Sequence, residues 1–397
     1  MMSVWSSLVG QDAAVAKLSE AAASARAIVA SRGSGRTSDE ARSMSHAWLI
    51  TGPPGSGRSV AARAFAAALQ CTGATPGCGQ CPGCRTTMGR TNADVLFAAT
   101  ETSIINVDTA RSLVLQAQSS PCQGLWRVIV VEDADRLGES GANALLKAIE
   151  EPPEHTVWLL CAPSPEDMIA TIRSRCRHLG LRIPTATAVA DLLVREGIAT
   201  PEVALEAARA AQSHIGLARA LARDPQMRER RRSIITAPAS VRSVGEAVMA
   251  ADRLLETAKA QADAQVSDRN AREKADLLRQ LGMEESENAT KASRTMLRQL
   301  EEDQKRRSKR ALTDAIDRAL IDLLAIYRDV LLVQVGGDGE LINTDLSELV
   351  HQIAHDSTPH QTLARVDHIE TARKRLVANG NPLLVLEDMA ISLRPQD

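Results

Sequence analysis

Aromatic residues are almost absent: one tyrosine, two phenylalanines and four tryptophans in 397 residues. The cores must therefore be filled with alanine, leucine, valine and isoleucine, in a chain that is 44% apolar, and that vocabulary favours helices. An excess of charge is missing too. Forty-seven basic and 49 acidic side chains leave a formal net charge of −2, which argues against a tight, charge-driven hold on nucleic acid by this chain alone. Any DNA contact should be local or shared with partners. Nowhere do about 18 apolar residues run together, and the opening MMSVWSSLVGQ has neither the basic nor the apolar stretch of a secretory leader. These absences predict a soluble, cytoplasmic protein, in which the seven cysteines are thiols or metal ligands rather than structural disulfides. No internal repeat of roughly 20–50 residues is found.

What is present suggests two or three domains, since 397 residues exceed one compact core. The Ala-rich segment from Gln11 to Ala30 has helical spacing and runs into SRGSGRTSD, read as a flexible loop. Then AWLITGPPGSGRS passes from an apolar run into glycines and on to VAARAFAAALQ, a strand, loop and helix. WRVIVVEDADRL and HTVWLLCAP read as strands buried on both faces of a parallel sheet. The helix GANALLKAIE between them stops at Pro152-Pro153, and another helix-like segment reaches SRCRHL. The pattern predicts an α/β domain over residues 1–182. A small helical domain over 183–224 follows, with breaks at Gly197, Pro201 and Gly216, and then an all-α domain over 225–397. Within the last, residues 258–309 are densely charged with both signs mixed. They read as long solvated helices paired around Gly282, or as partly disordered charge, rather than as a DNA-binding arm.

Gly52-Pro-Pro-Gly55-Ser-Gly57-Arg58-Ser59 matches the phosphate-cradling pattern G-x-x-x-x-G-K-[ST] except at the lysine. Backbone N–H groups of such a loop turn inward around an anion, and the helix that follows adds its partial positive charge. Arg58 is a wide planar fork where a slim point charge is usual. Two readings stay open: phosphate binding without a well-placed γ-phosphate, and a loop kept for folding alone. In working enzymes of this kind an apolar strand ends in Asp then Glu, one serving magnesium and the other positioning water. Here Val131 is followed by Glu132 and Asp133, the reverse order. Retracting the water-positioning carboxylate by about 1.5 Å matters, because misplacement on the order of 1 Å can cost roughly a hundredfold in rate. Both changes together predict reduced or no turnover.

Cys71, Cys78, Cys81 and Cys84 have the spacing C-x6-C-x2-C-x2-C, with Gly77, Gly79, Pro82 and Gly83 letting the chain wrap tightly. Four soft ligands suit structural Zn2+ in a closed tetrahedron, and a redox pair drawn from the C-x-x-C units is the alternative. Cys122 and Cys161 read as small buried apolar residues, while Cys176, His155 and His178 belong to no nucleophile or metal constellation.

These residues resemble the clamp-loader branch of the AAA+ ATPases, and within it the delta-prime group of bacterial DNA polymerase III. The resemblance rests on VGQDAAVAKL, SHAWLITGPPGSG, the cysteine module, VEDADRLGESGANALLKAIEEPPEHTVWLL and TIRSRC at Thr171–Cys176. It covers about Val4 to Leu181, and residues 258–309 look like an addition to the family's pattern. It implies a RecA-like nucleotide domain, a three-helix lid and a helical collar in a five-subunit ring with gamma/tau and delta. Such a ring uses ATP to place a sliding clamp on primer-template DNA, as a non-polymerising part of the polymerase holoenzyme. Arg58, Glu132-Asp133, Ala162-Pro163 in place of a polar phosphate sensor, and Ala218 beside Arg219 in the lid depart from gamma/tau and favour delta-prime. The alternative is an active gamma/tau-type ATPase. The resemblance further implies that Arg175 acts as an arginine finger on a neighbour's ATP. Otherwise it caps its own helix and pairs with a local carboxylate.

Overall fold

The computed structural model describes residues 3–31, 43–98, 105–241, 243–281 and 291–394. Most of the expected flexible loop after Ala30, and the turn at Gly282, lie outside these residues. The chain divides into two compact units, Met1–Arg219 and Ala220–Asp397.

The first unit is built on five parallel strands, β1 (Ala47–Thr51), β2 (Val95–Ala98), β3 (Arg127–Val131), β4 (Thr156–Ala162) and β5 (Arg177–Gly180). Their order is β2-β3-β4-β1-β5. Every residue of β1, β3 and β4 is buried, as their unbroken apolar runs require for a sheet covered on both faces. The strand period of two divides them between two cores. Trp48 and Ile50, Val128 and Val130, and Val157 and Leu159 join α1 (Asp12–Ser31) and α2 (Arg58–Leu69) on one side. Leu49, Ile129, Val131, Trp158 and Leu160 meet α4 (Val107–Ala117) and α5 (Glu139–Glu150) on the other; α3 (Pro82–Met88) is the short helix of the cysteine module. Helix α2 is buried nearly all round by six alanines and Phe65, small side chains that let it approach the sheet closely. The scarce aromatics sit at the centre: Trp48 and Phe65 meet edge to face at 5.3 Å, and Trp158 is fully buried.

Two strands differ from the sequence expectation. The helix-like segment through SRCRHL is a four-residue α6 (Ala170–Arg173) followed by β5. Only Leu179 of β5 is buried, so this edge strand carries no apolar run to announce it. β2 is equally short and only half-buried beyond Val95. In the segment expected to form a lid stand α7 (Ala186–Arg195), α8 (Pro201–Ala210) and α9 (Ile215–Arg223). Pro201 opens α8, and Gly216 lies inside α9 rather than in a break.

The second unit is helical throughout: α10 (Pro225–Ser240), α11 (Val244–Gln280), α12 (Lys291–Gln334), α13 (Ser347–His355), α14 (Pro359–Val377) and α15 (Pro382–Ser392). Its core gathers Leu320, Leu323, Ile326, Tyr327, Val350, Ile369 and Leu386. Within the charged segment, residues 258–280 and 291–309 are the far parts of α11 and α12, packed antiparallel. Ala262 and Val266 meet Ala311, and further out Arg307 reaches Asn270 at 2.7 Å and Glu273 at 2.8 Å. Of the two readings of this segment, its described parts follow that of long paired helices. Among the described residues no helix is long and apolar enough to cross a membrane.

Candidate functional site

The loop from Gly52 to Ser59 joins β1 to α2, and the carboxyl ends of β1, β3 and β4 bring it beside Glu132 and Ala162-Pro163. Gly52 N–H donates to the Pro163 carbonyl at 3.1 Å, closing the mouth of the loop against β4. Gly55 and Gly57 have φ of 89° and 91°, values open to glycine at no steric cost. Gly57 caps α2 without a side-chain bond, so the helix start retains N–H groups for an anion, and Ser59 lies in its first turn. Arg58 does not reach outward. Its Nη1 donates to the carbonyl of Gly52 at 2.9 Å, spanning the loop from its next-to-last residue to its first.

The second motif is also engaged within the chain. Glu132, at the position that would serve a magnesium ion, is paired with Arg90 Nη2 at 2.6 Å, and Arg90 also stacks over Phe97, 4.9 Å from the ring centre. Arg90 follows α3 and has φ of 58°. Asp133 precedes a short turn and makes no side-chain cap there. Burial, with the charge of Asp133 adding to it, pushes the Asp135 carboxyl up. Arg63 on α2 crowds the same place. Its pKa is lowered by burial first and then by Arg90 and Arg219, although a guanidinium keeps its proton.

Two braces that sequence reasoning missed hold the loop. Buried Gln11 donates from Nε2 to the Ser56 carbonyl at 3.2 Å and to the Arg182 carbonyl at 2.5 Å, and accepts from Arg182 N at 3.2 Å. It ties the loop to the start of the lid, and its signal was the VGQ at positions 9–11. His214, in the turn between α8 and α9, lies so close that a Cβ on Gly55 would stand 2.9 Å from its Cα. No local pattern marked it. In the lid, Ala218 is fully buried, and Arg219 is held by Glu196 at 2.6 and 2.8 Å. Arg175 is exposed. Its Nε pairs with Glu150, and its Nη1 donates to the Thr171 carbonyl at 2.8 Å and to Ser174 Oγ at 3.1 Å. These are the local contacts of the alternative reading.

The four clustered cysteines come together. Their Sγ atoms all lie within 4.8 Å of one another, and those of Cys71 and Cys81 are 3.9 Å apart. Zinc–sulfur bonds of about 2.3 Å place tetrahedral thiolates about 3.8 Å apart, so the set is sized for a metal ion such as zinc. Cys78 Sγ accepts from the N–H groups of Gln80 and Cys81, and Cys81 Sγ from that of Cys84. Burial opposes ionisation of Cys81, but the N–H groups of Cys84 and Thr72 outweigh it and lower its pKa to about 6. Burial pushes the Cys84 thiol up. Crowding is tight enough that a Cβ on Gly73 would meet Cys78 Sγ at 2.8 Å. Cys161 and Cys176 are pushed up to about 12 by burial, as inert thiols should be. Cys122 is exposed, contrary to the buried role expected for it, because its N–H, not its side chain, is what the fold holds. His178 Nε2 meets Thr51 Oγ1 at 2.6 Å, and the His155 ring packs edge to face on Trp126 at 4.8 Å, so both are structural.

The family described as "DNA polymerase III, delta subunit" matches residues 36–185. Over this stretch the chain is similar to DNA polymerase III clamp-loader subunits. The subunit gamma/tau of Mycobacterium tuberculosis is 35% identical over 159 residues, 39% of this chain and 28% of the relative. Subunit delta' of Pseudomonas aeruginosa is 35% identical over 165 residues, 41% of this chain and 50% of the relative. Subunit delta' of Escherichia coli is 34% identical over 180 residues, 44% of this chain and 54% of the relative. The chain thus spans about half the length of these delta' relatives and little over a quarter of the gamma/tau one. Identity is alike to the gamma/tau and the delta' relatives and does not separate them.

Proposed function

We propose that the chain is a cytoplasmic clamp-loader subunit of the delta-prime kind. It supports ATP-driven placement of a sliding clamp on primed DNA and turns over little or no ATP itself. The observation that carries this reading is that both catalytic positions of the nucleotide site are occupied by the chain's own contacts, Arg58 on the Gly52 carbonyl and Glu132 on Arg90. A lysine at 58 and a free carboxylate at 132 are what phosphoryl transfer needs. Gamma/tau and delta subunits are the expected partners, with clamp and primer-template DNA met through the assembly. Arg175 serves in trans as a finger on a neighbour's ATP; its exposure leaves it free to exchange Glu150 for a γ-phosphate. The four cysteines hold one structural Zn2+, all positions being filled by protein so that no water can be activated.

The test is copurification of the tagged chain, with partners identified by mass, alongside ATP turnover by the isolated chain. The expected outcome is a complex with gamma/tau and delta, and negligible turnover that Arg58→Lys alone does not rescue. Turnover at the rate of an ordinary AAA+ enzyme would support the gamma/tau alternative instead.

A further inference from the structure

The cysteine module has almost no regular structure of its own before α3, so the carbonyls of residues 71–74 lack ladder partners. One side chain from another element takes three of them. Arg26, in the second half of α1, donates from Nη1 to the carbonyls of Gly73 and Ala74, each at 2.9 Å, and from Nη2 to that of Cys71 at 2.8 Å. The planar fork of a guanidinium fixes the relative positions of several acceptors at once, which a lysine cannot do. Here the acceptors are the backbone of the first cysteine and of the turn that carries the chain toward the second. A Cβ on Gly73 would stand 2.8 Å from Cys78 Sγ and 3.6 Å from Cys71 Sγ, so the placement of this turn bears on how the thiols close on one ion.

We propose that Arg26 is a positioning residue of the metal centre, and that it makes metal binding and the docking of α1 one coupled event. The inference rests on the metal reading above. Its charge also counts: four thiolates around a divalent ion carry a net charge of −2, which a nearby guanidinium offsets. The reach of the coupling follows from the other end of the same helix. Gln11, one residue before α1, bonds the phosphate loop at Ser56 and the lid's start at Arg182. Metal occupancy therefore steadies the helix that braces the loop. Linkage is reciprocal: loosening α1 at Arg26 must weaken the metal, and removing the metal must loosen α1.

The experiment uses the full chain. Zinc is withdrawn by a chromophoric chelator of known affinity, and urea unfolding is followed with and without zinc for wild type, Arg26→Ala, Arg26→Lys and the control Lys17→Ala on an exposed position of α1. Outer ligand-orienting groups typically change metal affinity about 10–100-fold. Arg26→Ala is expected to lose zinc at about tenfold lower chelator or less, with Lys17→Ala unchanged. The urea midpoint gained on adding zinc should shrink while the metal-free midpoint stays put. Arg26→Lys keeps the charge but not the fork and should fall between; if Arg26→Ala fails to fold, the lysine variant decides by the same comparison. Hydrogen exchange on chelation should rise over residues 21–31 and not over α14. Zinc affinity equal to wild type in both variants, or an equal fall in metal-free and zinc-loaded stability, overturns the proposal. A wild-type chain holding no zinc would instead remove the metal reading itself.

Discussion

Asp94 is fully buried and acidic, yet it is among the best satisfied side chains in the fold. It accepts the N–H groups of Cys122, Gln123 and Gly124 at 2.6 to 2.8 Å. Burial opposes its ionisation, but these bonds and Arg127 outweigh that cost and hold its carboxyl below the usual range. Unfolded aspartate titrates near pH 4, so its stabilisation is complete above about pH 4 and is lost as pH falls through the lower folded value. Asp94→Asn should cost about 1–3 kcal/mol at neutral pH, with the gap to wild type narrowing below about pH 4. Urea unfolding read by tryptophan fluorescence across this range checks it. The proposed metal site has its own pH dependence. Cys81 is lowered to about 6 and Cys84 is raised, so at pH 7 the metal-free cluster is part thiolate, and binding releases the remaining protons. Zinc affinity should therefore fall from pH 7 to pH 5, measured by the same chelator competition.

At the scale of elements, the turn before α9 and the phosphate loop behave as one piece. Gly55 combines φ of 89° with His214 backbone only 2.9 Å from where a side-chain methyl would stand, whereas Gly197, at φ of 66°, has open space around it. Gly197→Ala isolates the dihedral strain, about 1 kcal/mol, and Gly55→Ala should cost more because His214 must also move. Equal melting temperatures for the two variants would show that the lid turn does not press on the loop. The far parts of α11 and α12 make the opposite case. Among the described residues beyond Ala258 and before Ile316, they add to the unit's apolar packing little more than Ala262, Val266, Leu297, Ala311, Leu312 and Ala315. Ion pairs such as Arg269 with Glu273 and Arg298 with Glu302 lie along single helices and contribute about 0.3–0.5 kcal/mol each. Excising residues 263–308 and closing the helices with a short glycine-serine turn should leave the rest of the unit folded, its melting point within about 4 °C of the intact chain. A collapse of the unfolding transition would place the pair in the core.

At the scale of the whole molecule, the proposed work is done on a neighbour's ATP. Arg175 is the residue to test. Its pairing with Glu150 is between half-exposed groups and contributes no more than about 1 kcal/mol, so Arg175→Ala should fold and assemble as wild type. In a reconstituted loader it should lower hydrolysis at the facing site by on the order of 10³, while Glu150→Gln, which frees the arginine, should not lower it. Unchanged hydrolysis in the Arg175→Ala complex would leave Arg175 as the local cap its contacts describe.

The elements that announced themselves did so through local chemistry. Three buried strands are continuous apolar runs, the phosphate loop is spelled by its glycines, and the cysteine spacing fits one ion because only a tight loop separates the ligands. The reversed Glu132-Asp133 pair and Arg58 also stand plainly in the chain, as departures whose chemistry can be reasoned without coordinates. What those departures amount to needed the third dimension. Glu132 is met by an arginine 42 positions away, Gln11 by Arg182 at a separation of 171, and the cysteine turn by a fork from a helix some 45 residues before it. β5 is hidden for a related reason, since an edge strand with one buried residue needs no hydrophobic pattern. Periodicity and spacing report what a segment does with its immediate neighbours. Which distant cation meets a carboxylate, and which side chain closes a loop, is set by the packing of the sheet between two cores.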